Sequence, residues 1–259
     1  MFKLTRILFP VDFSERSKRA APYVDALAKQ FGAELFLLNV VQPPTYNSSL
    51  GDAPGTHWES FEPAFAAHHL QLKRLTEHGE VAPTIIECAN TYSVDLIMMP
   101  THGLGMYRRL IIGSNTAKVL HDAECPVWTG VHIKDAPHVG KAVCHRVLCA
   151  LDLEPSSAQV LRWAAGLAAG YKAELTVVHV TTDSPRARHA LDGLQRTVGT
   201  NAAVRVEAGE PTKVVAHVAG ELKADILVIG RCSTEGALGR LEMTAYSIIR
   251  QSPCPVISV

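Results

Sequence analysis

The stretch Arg6-Ile-Leu-Phe-Pro-Val-Asp12 recurs later in the chain as Arg146-Val-Leu-Cys-Ala-Leu-Asp152. Both stretches are short, mainly apolar runs that end on a carboxylate, without strict alternation of apolar and polar residues. Runs of this kind are typical of strands that are buried on both faces of a parallel sheet. The recurrence therefore predicts that the chain contains two copies of one structural unit.

Further segments repeat in the same order through both parts of the chain. The matching pairs are Ala33–Val40 with Ala173–Val180, Asp95–Pro100 with Asp225–Gly230, and Cys125–Val127 with Cys254–Val256. A preserved order of matches indicates a tandem repeat. We predict one domain over residues 1–136 and a second over residues 144–259, with the linker at Lys134–Val143.

Strand-like and helix-like segments alternate within the first copy. The predicted strands are Thr5–Phe9, Glu34–Val41, Leu96–Met99 and Pro126–Val131, and the predicted helices are Ser14–Phe31, Ile85–Ser93 and Ser114–His121. Pro22 predicts a kink or a late start for the first helix. Gln71–Glu77 fits a strand or a helix, whereas Ala203–Glu207 in the second copy is a clear strand, and Gln42–His57 has the composition of a long loop. The alternation predicts two tandem doubly wound α/β domains, each an open, mainly parallel five-stranded sheet flanked by helices.

The bulk composition excludes several classes of protein. Of the 259 residues, 47% are hydrophobic and 19% charged, and the formal net charge is zero, which favours a globular chain without a nucleic-acid or membrane-surface partner. No apolar run approaches the roughly 20 residues of a membrane-spanning helix. The six cysteines do not have the pattern of a disulfide framework. We expect a reduced, cytoplasmic protein.

The segment most informative about ligand binding is Pro100-Thr-His-Gly103, followed by nine residues and then Gly113-Ser114. Gly103 follows a buried strand, where it allows a sharp turn and close approach of a ligand. Gly113-Ser114-Asn115-Thr116 opens a predicted helix, whose free N–H groups and partial positive charge suit phosphates. Asp12 ends the first strand, beside the crevice at the carboxyl ends of the strands where doubly wound sheets bind ligands. There its carboxylate can accept hydrogen bonds from a ribose hydroxyl or an exocyclic amine.

Together with Val11-Asp12-Phe-Ser-Glu15 and the closing Cys-Pro-Val strand, this segment resembles the signature of the universal stress protein family. That signature is Gly, two residues, Gly, nine residues, then Gly-Ser/Thr, and the resemblance covers nearly the whole chain, twice. It implies the adenine nucleotide alpha hydrolase-like fold and, as in ATP-binding members, a pocket for ATP with or without Mg²⁺. The implied nucleotide-binding residues are Pro10, Val11, Asp12 and Val40 near the base, Met99, Pro100, His102 and Gly103 near the sugar and phosphates, and Gly113, Ser114, Asn115 and Thr116 at the phosphates.

Both copies depart from the signature. Pro100 replaces its first glycine and removes one backbone N–H, although the helix-terminus site is spared. In the second copy Gly230 is present, but Ser233 stands at the next glycine position and Met243-Thr244 at the Gly-Ser position. We expect Met243 to fill that site, so that a chain binds at most one nucleotide tightly, in the first domain. The second copy then binds nothing, or a ligand of a different shape.

Several of these residues also have purely structural interpretations. Asp12 and Asp152 fit residues that cap a helix or hold a strand end. Gly103 and Gly113 fit turns, and Ser114 fits a plain N-cap with an empty site. Asp95 and Asp225 fit helix-to-strand turn residues.

Metal and catalytic sites are not predicted. Cys144, His145 and Cys149, with His132 and His138 nearby, lack a Cys-x-x-Cys pair and do not form a zinc motif. The chain also lacks a P-loop and a Gly-x-Ser-x-Gly elbow. The sequence predicts no efficient enzyme, and at most slow ATP hydrolysis.

Two functions remain open. One is a stress-response protein that binds an adenine nucleotide and acts as a nucleotide-dependent regulatory or protective protein, with an unknown protein partner. The alternative is an interaction or scaffold module of the same family that binds no nucleotide. In either case we expect the final strands, Pro126–Val131 and Pro255–Val259, to pair within one chain, which gives an internal pseudo-dimer and leaves a homodimer open.

Overall fold

The computed structural model describes residues 2–42, 58–61, 65, 71–100, 112–130, 144–231 and 243–259. The first half, residues 2–130, contains β1 (Arg6–Pro10), α1 (Glu15–Phe31), β2 (Glu34–Val41), α2 (Trp58–Phe61), β3 (Leu72–His78), α3 (Val81–Thr91), β4 (Leu96–Pro100), α4 (Ser114–Asp122) and β5 (Val127–Gly130). The second half, residues 144–259, contains β6 (Arg146–Ala150), α5 (Ser157–Tyr171), β7 (Glu174–Val180), α6 (Ser184–Val198), β8 (Ala203–Glu207), α7 (Pro211–Glu221), β9 (Ile226–Ile229), α8 (Met243–Gln251) and β10 (Val256–Ser258). Within these ranges no helix is both long and apolar enough to cross a bilayer.

The strands form one sheet in the order β3-β2-β1-β4-β5-β10-β9-β6-β7-β8. Each half contributes five parallel strands, which confirms the predicted doubly wound fold. In the first half β1 lies between β2 and β4. The strand order therefore reverses at β1, with β2 and β3 on one side and β4 and β5 on the other. The carboxyl ends of β1 and β4 therefore border the crevice at which doubly wound sheets bind ligands.

The two halves join through their final strands, as expected from the sequence. β5 and β10 are antiparallel, with Trp128 opposite Ile257 and Thr129 opposite Val256. Thr129 Oγ1 donates a hydrogen bond of 3.3 Å to the Val256 carbonyl, and Ser258 Oγ donates one of 3.3 Å to the Val127 carbonyl. Since these hydroxyls are buried, their partners across the junction satisfy groups that would otherwise be costly to bury.

Helices cover both faces of the sheet. Apolar side chains of α1 and α5 form one core with the strands, and those of α3, α4, α7 and α8 form the other. The strands supply both cores, which explains why their sequences show apolar runs instead of alternation. The arrangement leaves the carboxyl ends of the strands as the place where polar residues of each half meet.

Helix α1 confirms both of its predicted ends, and the kink at Pro22 stays a prediction. The Ser14 side chain accepts a hydrogen bond from the Ser17 N–H, and Gly32 ends the helix at φ 62°. The helix nevertheless begins at Glu15 and continues through Pro22, so a late start is wrong. Burial of one apolar face, including Ala21 and Val24 on either side of the proline, offsets the lost backbone hydrogen bond.

The ambiguous third strand of the first half is resolved by its place in the sheet. β3 is an edge strand parallel to β2, and its Lys73 and Arg74 are exposed. Charged side chains suit an edge, because they oppose pairing with a further chain. Helix α3 begins at Val81, earlier than the predicted Ile85, because Pro83 lies in the first turn, where a missing N–H costs no helical bond.

Two predictions fall on parts of the chain outside the described residues. Most of the expected loop Gln42–His57 lies in residues 43–57, and the expected linker Lys134–Val143 lies in residues 131–143. The domain boundaries at residues 136 and 144 therefore stay a prediction.

Candidate functional site

The sequence-predicted nucleotide site lies at the carboxyl ends of β1, β2 and β4. Pro10 ends β1, Val40 is near the end of β2, and Pro100 ends β4. Val11 and Asp12 directly follow β1, Met99 is the penultimate residue of β4, and Gly113, Ser114, Asn115 and Thr116 begin the α4 region. Because these strands are parallel neighbours, their ends meet at one edge of the sheet. His102 and Gly103 lie outside the described residues.

Asp12 fastens the start of α1 to the end of β1. Its Oδ1 atom accepts hydrogen bonds from the Ser14 N–H at 3.0 Å, the Ser14 hydroxyl at 2.6 Å and the Ser17 hydroxyl at 2.6 Å. Burial acts to raise the pKa of Asp12, but these hydrogen bonds outweigh it and the pKa lies below its ordinary value. The structural interpretation of Asp12 is confirmed. The residue is also exposed, so its ionised carboxylate stays accessible at the crevice.

A left-handed residue follows the aspartate in each half. Phe13 has φ 57° and Leu153 has φ 66°, a conformation that bulky residues seldom adopt. The Phe13 ring packs edge-on against Trp58, with 5.0 Å between ring centroids, and this contact helps to hold the turn. A strained backbone at the same place in both halves indicates that the fold requires this turn in order to orient Asp12 and Asp152.

Asn39, next to the candidate site, is a polar residue that the sequence analysis missed. Its Nδ2 donates a hydrogen bond of 3.0 Å to the Val11 carbonyl. His179 does the same in the second half, where Nδ1 lies 2.8 Å from the Leu151 carbonyl. Since a carbonyl only accepts, Nδ1 carries the proton in that bond. The available signal was a polar residue near the end of each otherwise apolar strand.

The start of α4 is free of a side-chain cap. Gly113 is the N-cap, with φ −60° and ψ 149°, and it makes no side-chain capping bond. Ser114 is the first helical residue, so its interpretation as a plain N-cap is wrong. Ser114 and Asn115 are exposed, whereas Thr116 is only 2% exposed. The helix start therefore offers backbone N–H groups and two accessible polar side chains, and the Thr116 hydroxyl is largely shielded.

The second half contradicts the expectation that Met243 fills its crevice. Met243 is the first residue of α8 and thus the counterpart of Ser114, one position later than the signature glycine. Its side chain is 84% exposed and points away from the protein. A cavity of about 300 Å³ lies at the carboxyl ends of β6 and β9, with Asp152, Gly230 and Thr244 among its lining residues. Ser233 lies outside the described residues.

The cysteines near the start of the second half are packing groups. Cys144 is 4% exposed and Cys149 is fully buried. Burial raises the pKa of Cys144 to about 12, and burial also raises the pKa of Cys149 well above its ordinary value. Such thiols stay protonated, which opposes metal binding and nucleophilic chemistry. In the part of the chain that the structure describes, His, Cys, Asp and Glu side chains form no group of three or more that could hold a metal ion.

Asp95 and Asp225 lie at the opposite, amino ends of the strands. Asp95 Oδ2 accepts hydrogen bonds from the Thr5 N–H at 2.7 Å and the Arg6 N–H at 3.0 Å. Asp225 Oδ2 accepts equivalent bonds from the backbone that enters β6, including one of 2.9 Å from the Arg146 N–H. Their interpretation as structural residues between helix and strand is confirmed.

Comparison with known proteins identifies similar chains over both halves. A family model described as the universal stress protein family matches residues 3–129, 144–194 and 186–259. A universal stress protein of Synechocystis is 32% identical over 134 residues, which cover 49% of this chain and 84% of the relative. One from Thermus aquaticus is 32% identical over 135 residues, 49% of this chain and 97% of the relative. The crystal structure of a universal stress protein from Archaeoglobus fulgidus shares the fold, with a TM-score of 0.82, 23% identity and coverage of 99% of this chain and 98% of that one.

Proposed function

Since the chain belongs to the universal stress protein family, with the family unit present in tandem, we propose that its first half binds ATP or a related adenine nucleotide. The protein then acts as a nucleotide-dependent regulatory or protective protein in a stress response. The observation that carries the proposal is the uncapped start of α4 at the crevice where doubly wound sheets bind ligands.

The start of α4 supports phosphate binding. The first N–H groups of a helix have no partner within the helix, and the helix dipole places a partial positive charge there. At α1 the Ser14 side chain occupies one such group, whereas Gly113 contributes no side chain to α4. Exposed Ser114 and Asn115 add polar groups at the same end. Pro100 lacks an N–H, but these donors do not depend on it.

The ends of β1 and β2 support binding of the nucleoside. Asp12 is exposed and its lowered pKa keeps it ionised near neutral pH, so it can accept hydrogen bonds from ribose hydroxyls. Val11 directly follows β1 and half-buried Val40 lies near the end of β2, and the proposal places the base against these two apolar residues. His102 and Gly103 complete the proposed residue set. Mg²⁺, when it accompanies ATP, supplies charge neutralisation to the phosphates.

The test is a substitution of Gly113 by aspartate. Asp is a favourable N-cap residue, so its capping bond should offset part of the cost of a carboxylate at the buried Gly113 position. Its carboxylate would occupy the helix start and repel phosphate, so the affinity for Mg-ATP should fall by at least about tenfold. Isothermal titration calorimetry on the full chain measures the affinity for Mg-ATP of the unchanged protein and of the variant.

The matched control is Gly113→Ser, a neutral N-cap residue, which should weaken Mg-ATP binding less than the aspartate does. Nucleotide released by acid from the purified protein provides a second measurement. Equal affinities in the aspartate variant and the unchanged protein would place the phosphates elsewhere. A protein that carries no nucleotide and binds none in titration would support the interaction or scaffold module instead.

A further inference from the structure

The second half has a cavity whose chemistry differs from the site proposed in the first half. The cavity measures about 300 Å³, which is at the lower end of the range for small-molecule sites. Its apolar lining residues include Val178, Val215, Ile229 and Ile248, each at most 7% exposed as part of the core. These side chains provide a preformed apolar surface for the body of a small ligand.

The Asp152 and His179 side chains face this cavity as hydrogen-bond acceptors, whereas the Thr244 hydroxyl and the first N–H groups of α8 are donors among its lining. Asp152 uses Oδ1 to accept bonds from the Glu154 N–H at 3.0 Å and the Ser157 hydroxyl at 2.8 Å. Among the described residues, no donor reaches its other oxygen. His179 commits Nδ1–H to the Leu151 carbonyl, and in that tautomer Nε2 is the ring's hydrogen-bond acceptor. The part of a ligand that lies against Asp152 and His179 must therefore supply donors.

The charge of the cavity is negative. Asp152 and Glu154 both line it, and both are exposed at its rim. The lining residues that the structure describes include neither Lys nor Arg. In the first half the equivalent of Glu154 is Ser14, whose hydroxyl donates to Asp12. The exchange of a hydroxyl for a carboxylate replaces a donor by a negative charge, which disfavours phosphate and attracts a cation.

From these observations we propose that the cavity of the second half binds a small organic cation, an amine or amidine attached to an apolar body. The cationic group lies against Asp152 and Glu154, and the apolar body lies against the ends of β7 and β9. His179 Nε2 accepts a further hydrogen bond from the ligand. The site is separate from the nucleotide site of the first half and does not depend on it.

Three probes of almost the same shape and different charge test the proposal: benzamidine, benzamide and benzoate. Each is titrated into the full chain labelled with ¹⁵N, and backbone amide shifts are followed by TROSY spectra. Benzamidine should give saturable shifts at Gly230 and Thr244, whereas benzamide should bind at least about fivefold more weakly and benzoate should not saturate. Equal binding of benzoate and benzamidine, or no saturable shift at the cavity with benzamidine, would overturn the proposal.

Charge-neutral substitutions of the two carboxylates separate electrostatic binding from a loss of structure. Asp152→Asn and Glu154→Gln should each lower the affinity for benzamidine by about threefold or more while the affinity for benzamide stays the same. Asp192→Asn, which removes an exposed carboxylate of α6 outside the cavity, is the matched control and should change neither affinity. An equal loss in all three variants, or an unchanged affinity for benzamidine in both cavity variants, would contradict the assignment. Saturation with Mg-ATP should leave the benzamidine shifts in place.

Discussion

At the scale of single residues, the two copies end their first helices in different ways. Gly32 ends α1 at φ 62°, whereas Lys172 ends α5 at φ 55° in the same left-handed conformation. Glycine adopts this conformation without steric cost, but a residue with a Cβ atom does not. The second half therefore retains a local strain that the first half avoids.

We expect Lys172→Gly to raise the free energy of unfolding by about 0.5–1 kcal/mol, because it removes this strain at an exposed helix end. The reverse change, Gly32→Lys, should lower it by a similar amount. A Cβ atom at Gly32 would meet no atom within 4 Å, so that loss reports the backbone alone. Urea denaturation measures the free energy of unfolding of both variants. A lower stability in the Lys172→Gly variant would contradict the prediction.

At the scale of whole elements, α1 and α5 contact each other across the two halves through a close aromatic seam. Gln30 Nε2 on α1 donates a hydrogen bond of 2.7 Å to the Gly170 carbonyl on α5. A Cβ atom at Gly170 would lie 2.2 Å from the ring of Phe31, and one at Gly166 would lie 2.1 Å from the ring of Phe2. Glycine at these helical positions lets the aromatic rings reach the backbone of α5.

Gly170→Ala should destabilise the protein by roughly 1–3 kcal/mol, because the new methyl group collides with the Phe31 ring in a filled interface. Helix propensity alone predicts the opposite sign. The matched control is Gly220→Ala on α7, where a Cβ atom meets nothing within 4 Å, and this change should stabilise by about 0.5–1 kcal/mol. Thermal unfolding measures the stability of both variants. Stabilisation by both substitutions would show that the Phe31 ring can move aside for the new methyl group.

At the scale of the molecule, the second half completes the first. Arg231 is 5% exposed, and its guanidinium donates hydrogen bonds of 2.9 Å to the carbonyls of Ala123 and Cys125, just beyond the end of α4. β10 occupies the free edge of β5. These contacts supply hydrogen-bond partners to the backbone of the β5 edge and to the carbonyl groups after α4. In the first half alone, these groups would lack those partners.

Residues 1–136 expressed alone should therefore form a dimer or larger species, because the apolar edge of β5 would pair with a second copy. Light scattering coupled to size-exclusion chromatography, over a wide concentration range, measures the mass. The full chain is the control, since its β5 edge is already covered by β10. A stable monomer at all concentrations would show that β5 needs no partner strand.

Sequence patterns were sufficient to predict the features that depend on neighbouring residues. The tandem repeat, the boundaries of β2 and β8, and the Ser14 and Gly32 ends of α1 all follow from apolar runs and from capping chemistry within a few residues. The positions of Asp12 and Gly113 in the candidate site follow in the same way, because each directly follows or precedes a recognisable element.

Other features depend on contacts between residues far apart in the chain, which local patterns do not predict. β3 has a polar sequence that fits a helix equally well, and it is a strand because β2 offers its edge. Met243 is exposed and leaves a cavity because α8 begins one residue earlier than the motif spacing indicated, which makes Met243 the first helical residue. Arg231 is buried because the first half presents carbonyl groups to it. Short-range patterns encode caps and strands, whereas burial and hydrogen-bond partners are set by which distant segments meet.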